Sequence, residues 1–389
     1  MKNYLPIFLL IFIFELGLAQ KKLEFKLIFE GRNRECIVSI PTHQPPAGGY
    51  PIVFMLHGTT GNGEEFYIRS QWKELGQQEN FITVFPSSLT WCFVDSVIEE
   101  RKTRWVNGNV TDNPCSVKQN YVDDVKFLKH LVKLIKDTFE INSSKVYASG
   151  FSNGSAMTHK LAIDAGDVFA AVTACSGSLP EGDSTTPLKR IPIWFMVGSH
   201  DDRFYKAPIT ELPYGGDSIL FYLQRPLTRT LACQNLTETF IKTENSIFKT
   251  YKFQESQTGL SQSPYIFSLI KDMEHVYPNG TNYPLSAAKM SWEFFKQTAS
   301  TNTTNNSLNY NVEVFPNPSQ SEININIHSE ILDENINLNI INSCGNIILS
   351  KKLTGPNNMK VLKSELGSGV FFLQIRNNRL NICKKIIFI

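Results

Sequence analysis

Val146-Tyr147-Ala148-Ser149-Gly150-Phe151-Ser152-Asn153-Gly154-Ser155-Ala156 decides the fold. An apolar run with β character meets Gly-x-Ser-x-Gly at 150–154 and passes directly into a helical pattern. A nucleophile elbow needs this order: a serine on a sharp strand-to-helix turn, flanked by residues small enough to let the turn close. The helix starting behind Ser152 turns its N-terminal dipole and free N–H groups toward the serine, which favours negative charge there. The bland alternative is an ordinary strand–turn–helix connection, and the surrounding chain weighs against it.

Upstream, Leu23–Phe29 and Cys36–Ile40 read as strands around a turn at Gly31-Arg32-Asn33. Pro51–Leu56 is a continuous apolar run, as expected of a strand buried on both faces, and it ends in His57-Gly58-Thr59-Thr60-Gly61-Asn62-Gly63. A helix is expected from Glu64 to Leu75, a strand at Phe81–Phe85 and a long irregular segment over 87–119. Tyr121–Phe139 carries an apolar stripe at helical spacing, and Asp123 and Asp124 in its first turn read as structural. Downstream, strands are expected at Phe169–Cys175, Ile191–Val197 and Tyr265–Ile270. A partly helical insertion is expected over 203–235 and a helix at Leu285–Lys296. Alternating strands and helices predict an α/β fold with a doubly wound, mostly parallel sheet.

Residues 299–311 form a polar linker by composition. Beyond it the period changes to two, with Ile323, Ile325 and Ile327, then Ile336, Leu338 and Ile340, alternating with polar residues; Phe371–Ile375 adds another strand. A small all-β sandwich is expected over 312–389. At the other end Lys2, the apolar run Leu5–Phe14 and Gly17-Leu18-Ala19 read as a signal peptide over 1–19, leaving 20–298 as the catalytic domain. No stretch is long and apolar enough to span a membrane.

A net charge of +2 over 389 residues, without a basic patch interleaved with aromatics, argues against nucleic-acid binding. The seven cysteines lack metal-ligand spacing, so no metal and no organic cofactor is expected. Export permits disulfides, and Cys92 with Cys115, flanking one polar loop, is the pairing to test.

A serine hydroxyl is a poor nucleophile until a base takes its proton. On a doubly wound hydrolase sheet the chain order is serine, acid, histidine. Of the seven histidines, His275 alone suits that order. His57 reads as a loop-shaping residue. Asp201 and Asp202 follow the apolar strand 191–197, at the carboxyl end of a sheet strand where such sites gather, and Asp201 is preferred. Oxyanion donors are expected from the backbone of Asn153 and of Thr59.

Together these motifs resemble secreted esterases of the polyhydroxybutyrate-depolymerase and feruloyl-esterase group, within the α/β-hydrolases. The resemblance rests on Leu56-His57-Gly58 with Gly61, Asp123-Asp124-Val125-x-Phe127, Val146 through Gly154, Phe169-Ala170-Ala171, Gly198-Ser199-His200-Asp201 and His275-Val276-Tyr277-Pro278. It implies a triad of Ser152, Asp201 and His275, and it supports Asp201 over Asp202. Ser199 stands in place of the family's usual threonine, Ser155 in place of a glycine and Tyr277 in place of a tryptophan; Asn279 looks inserted before Gly280. The tail resembles the C-terminal sorting domain of the type IX secretion system, through Val314-Phe315-Pro316-Asn317-Pro318-Ser319, Gly369–Leu373 and Lys384-Lys385-Ile386-Ile387. A polymer-binding module is the rival reading of the tail, but residues 312–389 hold no tryptophan or tyrosine for stacking on sugar rings.

The expectation is an extracellular or surface-bound serine carboxylesterase acting on a polymeric ester, with feruloyl or acetyl groups of plant polysaccharide preferred and polyhydroxybutyrate the alternative. The secretion machinery is the partner implied by the tail, which export could remove. A serine peptidase on the same fold and a catalytically dead binding scaffold are the rivals from other classes.

Overall fold

The computed structural model describes residues 20–95, 98–108, 115–180, 186–187, 189–205, 208, 221–255, 261–303, 311–328, 336–342, 346–353, 357–376 and 381–389. The signal peptide expected over 1–19 lies outside them. The chain divides into two compact units after Thr298.

In the first unit, β1 (Lys21–Phe29) and β2 (Arg32–Ile40) form an antiparallel pair closed by a two-residue turn. Glu30 and Gly31 both have positive φ there, which matches the twist of the flanking strands. β3 (Tyr50–Leu56) follows and is buried along its whole length. The single helix expected over 64–75 is instead two, α1 (Gly63–Arg69) and α2 (Trp72–Glu79). Ser70 closes the first through its N–H on the carbonyl of Phe66, and Gln71 adopts a left-handed conformation with φ 65°. The break lets the buried Trp72 indole donate to the Tyr277 hydroxyl at 2.8 Å, a long-range contact that local periodicity does not encode.

After β4 (Ile82–Pro86) the segment expected to be irregular holds an antiparallel hairpin, β5 (Thr90–Asp95) and β6 (Ile98–Thr103). Charges in Ile98-Glu99-Glu100-Arg101-Lys102-Thr103 hid the strand from a search for alternating apolar residues. A disulfide joins Cys92 to Cys115, with Cα atoms 5.8 Å apart. α3 spans Asp124–Thr138, and Asp123 lies before its first turn as the N-cap, accepting from the Lys126 N–H at 3.0 Å. The chain continues through β7 (Ile141–Phe151), α4 (Asn153–Asp164), β8 (Ala171–Cys175), β9 (Ile193–Gly198) and α5 (Phe221–Cys233). Most of the first half of the expected insertion, 206–207 and 209–220, lies outside the described residues. β10 (Phe240–Glu244), β11 (Phe248–Glu255), β12 (Ser261–Ile270) and α6 (Ala287–Thr303) complete the unit's elements. α6 therefore runs past residue 299, where the linker was expected to begin. Once Trp292 and Phe295 fix its buried face, extending a helix costs little.

The ten strands form one sheet in the order β1-β2-β4-β3-β7-β8-β9-β12-β11-β10. The central run from β4 to β12 is parallel, and the pairs at both edges are antiparallel. Alternate residues of β3 face opposite layers. Ile52, Phe54 and Leu56 pack with α3, α4 and α5, whereas Val53 and Met55 pack with α1, α2 and α6. The sheet is thus covered on both faces, as parallel strands require.

The second unit is a sandwich of two antiparallel sheets. One holds β13 (Asn311–Phe315), β14 (Glu322–His328) and β17 (Asn357–Leu362); the other holds β15 (Ile336–Asn342), β16 (Ile347–Leu353), β18 (Gly369–Arg376) and β19 (Asn381–Phe388). A one-turn helix, α7 (Lys363–Leu366), links β17 to β18. Ile323, Ile325, Met359 and Val361 of the first sheet meet Leu338, Ile340, Leu373 and Ile375 of the second in one apolar core.

Candidate active site

The parallel strands deliver the candidate residues to one edge, because β3, β7, β8, β9 and β12 all end there. Ser152 follows β7 directly. Its backbone, φ 53° and ψ −118°, is in a region that non-glycine residues rarely occupy. Close packing holds it there. A Cβ on Gly154 would stand 2.3 Å from the carbonyl oxygen of Leu56, and one on Gly150 would stand 2.2 Å from that of Gly154. These are the two glycines of the Gly-x-Ser-x-Gly stretch. The Ser152 N–H donates to Cys175 at 2.8 Å, and its carbonyl accepts from Ala156 at 3.0 Å.

The loops after β9 and β12 are tied together. Ser199 N–H donates to Ile270, His200 N–H to Met273 and Asp272 N–H to the Ser199 hydroxyl, all within 2.7–2.9 Å. This brings Asp201 and His275, 74 residues apart, side by side. His275 Nδ1 lies 2.9 and 3.1 Å from the two Asp201 carboxylate oxygens, and its Nε2 lies 3.0 Å from Ser152 Oγ. An ionised carboxylate only accepts, so the Nδ1 proton donates to Asp201 and neutral Nε2 is left to accept from the serine hydroxyl. Asp201 is fully buried and also accepts from the Arg203 N–H at 3.1 Å, whereas Asp202 is exposed. The imidazole packs on the Phe151 ring, with centroids 5.1 Å apart. Beneath it, Tyr277 fills a buried niche between Phe66, Phe151 and Trp72.

Asn153 begins α4, and its side chain is held from outside the elbow. Its Oδ1 accepts from the Trp105 N–H at 2.6 Å, and its carbonyl accepts from Asn107 Nδ2 at 3.1 Å. The Trp105 indole donates to His57 O at 2.9 Å. The 104–107 loop is anchored in turn by Asp124, which accepts from Val106 N–H at 2.8 Å and pairs with Arg34 at 2.7 Å, both side chains wholly buried. Burial raises the Asp124 carboxyl and lowers the Arg34 guanidinium from their ordinary values, and their mutual attraction only partly offsets this. Thr59, half-buried, lines the cleft beside Ser152, and the neighbouring Thr60 N–H donates to Thr103 at 3.0 Å. His57 is fully buried between the Gly58 carbonyl and the Ser88 N–H, and burial pushes its pKa down to about 4. It shapes the loop, as its position after β3 suggested.

Sequence reading missed Arg34, Trp105 and Asn107. The signal available was two tryptophans, Trp91 and Trp105, in a polar segment, which does not say what either touches. The cleft above Ser152 and His275 encloses about 750 Å3. His200, near Asp272 on the surface, takes no part in it.

Comparison with known proteins follows the division of the chain. Residues 29–214 match the family described as "Putative esterase", and residues 313–389 match the secretion system C-terminal sorting domain. A bifunctional acetylxylan esterase/xylanase of Neocallimastix patriciarum is 24% identical over 173 residues, 44% of this chain and 22% of that protein. Feruloyl esterase B of Talaromyces funiculosus is 30% identical over 126 residues, 32% of each chain. Among solved structures, acetyl xylan esterase from Aspergillus awamori matches with TM-score 0.43 and 16% identity, over 70% of this chain and 99% of that one. The chain spans about a third or less of the length of these two curated relatives. The esterase resemblance of the motifs and the sorting-domain resemblance of the tail are both borne out, and the tail marks the chain for secretion.

Proposed function

We propose that the chain is a secreted serine carboxylesterase that removes acetyl or feruloyl groups from plant polysaccharide. The observation that carries this reading is the continuous hydrogen-bonded path from Ser152 through His275 to buried Asp201. Ser152 Oγ attacks the ester carbonyl while His275 Nε2 takes its proton. Asp201 fixes the imidazole and stabilises its charged form. The N–H groups of Asn153 and Thr59 receive the oxyanion. His275 then protonates the leaving alcohol, and water, activated by the same histidine, releases the acid. Residues 1–19 direct export, and the tail engages type IX secretion machinery. The acetylxylan and feruloyl esterases among its relatives support the choice of acyl group.

The test is hydrolysis of 4-nitrophenyl acetate and methyl ferulate by the full chain, beside Ser152→Ala. The reading expects turnover that falls by roughly 10⁴-fold or more in the variant. Folded protein without turnover on either ester, or turnover that survives the substitution, would sink it. Turnover of the acetate alone would point away from feruloyl groups.

A further inference from the structure

We propose that the cleft selects esters carrying a carboxylate close to the scissile bond, as a uronate-substituted polysaccharide does; this rests on the esterase reading of the same site. Lys102, Arg104 and Arg203 line the cleft, and no acidic side chain does among the described residues. Asp201, two residues before Arg203, is buried and held by His275 and the Arg203 N–H, and the exposed Asp202 beside Arg203 is not part of the cleft lining. Glu100 pairs with Lys102 and offsets one positive charge in part. Arg104 lies over the Phe93 ring, 4.4 Å from its centroid.

The wall is rigidly tied to the reacting centre. Lys102 and Arg104 flank Thr103, whose hydroxyl donates to Gly61 at 2.7 Å and whose carbonyl accepts from Thr60. Lys102 lies near the end of β6 and Arg104 just past it, where its N–H donates to Leu89 at 3.0 Å, and both line the cleft. The disulfide at Cys92 fastens the partner strand. Arg203 joins the lining from a separate segment, the loop after β9. Cations brought to one concave surface by separate elements concentrate anionic ligands there, and guanidinium forks match carboxylates. Phe93 and Phe204 supply apolar surface between them.

The test compares paired substrates on the full chain. On the alcohol side, acetylated xylo-oligosaccharides bearing uronate are set against the same material with its carboxyl groups reduced. On the acyl side, 4-nitrophenyl hydrogen succinate is set against 4-nitrophenyl butyrate. A preference in kcat/KM for the acidic member of either pair is expected, and the pair that shows it locates the carboxylate. That preference should fall about tenfold in Lys102→Gln/Arg203→Gln and should shrink in the parent as salt rises. A parent that cleaves both members of each pair equally, or a preference indifferent to salt and to the substitutions, overturns the proposal while leaving the esterase reading intact. A parent inactive on every ester fails the esterase reading, and this inference with it.

Discussion

The two units bury different chemistry. Within the sandwich the core is isoleucine, leucine, valine, methionine and phenylalanine, and Ser319 is its buried polar residue among those described. The catalytic unit buries Arg34, Asp124, His57, His159 and Asp201. Apolar contacts are non-directional and serve to hold two sheets together. Aiming a serine and an imidazole at one another requires directional bonds, and those are strongest and most costly when buried. Polar burial in this chain therefore gathers where orientation matters: Asp124 holds the loop that holds Asn153, and Asp201 holds His275.

The contrast can be broken most forcefully at Asp124. Asp124→Asn leaves Arg34 buried without a counter-ion and should cost about 3–5 kcal/mol in the catalytic unit. Ester turnover should fall with it, because Val106 and Trp105 lose their anchor. Hydrogen exchange resolved by segment checks this; equal loss of protection in the sandwich would mean that the network is not local. Next in size, Ile340→Ala in the sandwich should cost about 2–5 kcal/mol there by the loss of packing alone. Protection should drop in residues 311–389, with kcat/KM on 4-nitrophenyl acetate unchanged; a change in turnover would contradict the separation.

The smallest effect is in pH. Burial lowers His57 and His159 to about 4, against about 6.5 in an unfolded chain. Between these values the unfolded state binds more protons, so stability rises with pH. Their contribution is fully present above about 6.5 and is lost as pH falls toward 4, at up to about 1.4 kcal/mol per pH unit for each histidine. Unfolding of the catalytic unit followed from pH 7 to 4 should show this loss, and His159→Gln should make it shallower. An unchanged slope in the variant would show that His159 titrates normally.

Some of this architecture was written locally. The run Val146–Ala156 announced a strand, a strained turn and a helix, because each depends on residues next to one another. Strand alternation in Ile323–Ile327 and Ile336–Ile340 placed the sandwich for the same reason. Chain order singled out His275 among seven histidines, and Asp201 with less certainty from its neighbours. Other features had no local signature. Glu99, Glu100, Arg101 and Lys102 concealed a strand whose partner lies across a hairpin. Helices α1 and α2 part at Gln71 because Trp72 answers to Tyr277, 205 residues away. Trp105 reaches Asn153 only through a loop fixed by Arg34 and Asp124. The sequence by itself determined most of the elements and which residues could react, since propensity, periodicity and order act over short distances. The tertiary structure alone decided which groups meet, because hydrogen bonds and ion pairs in a buried site depend on positions that only the packed sheet brings together.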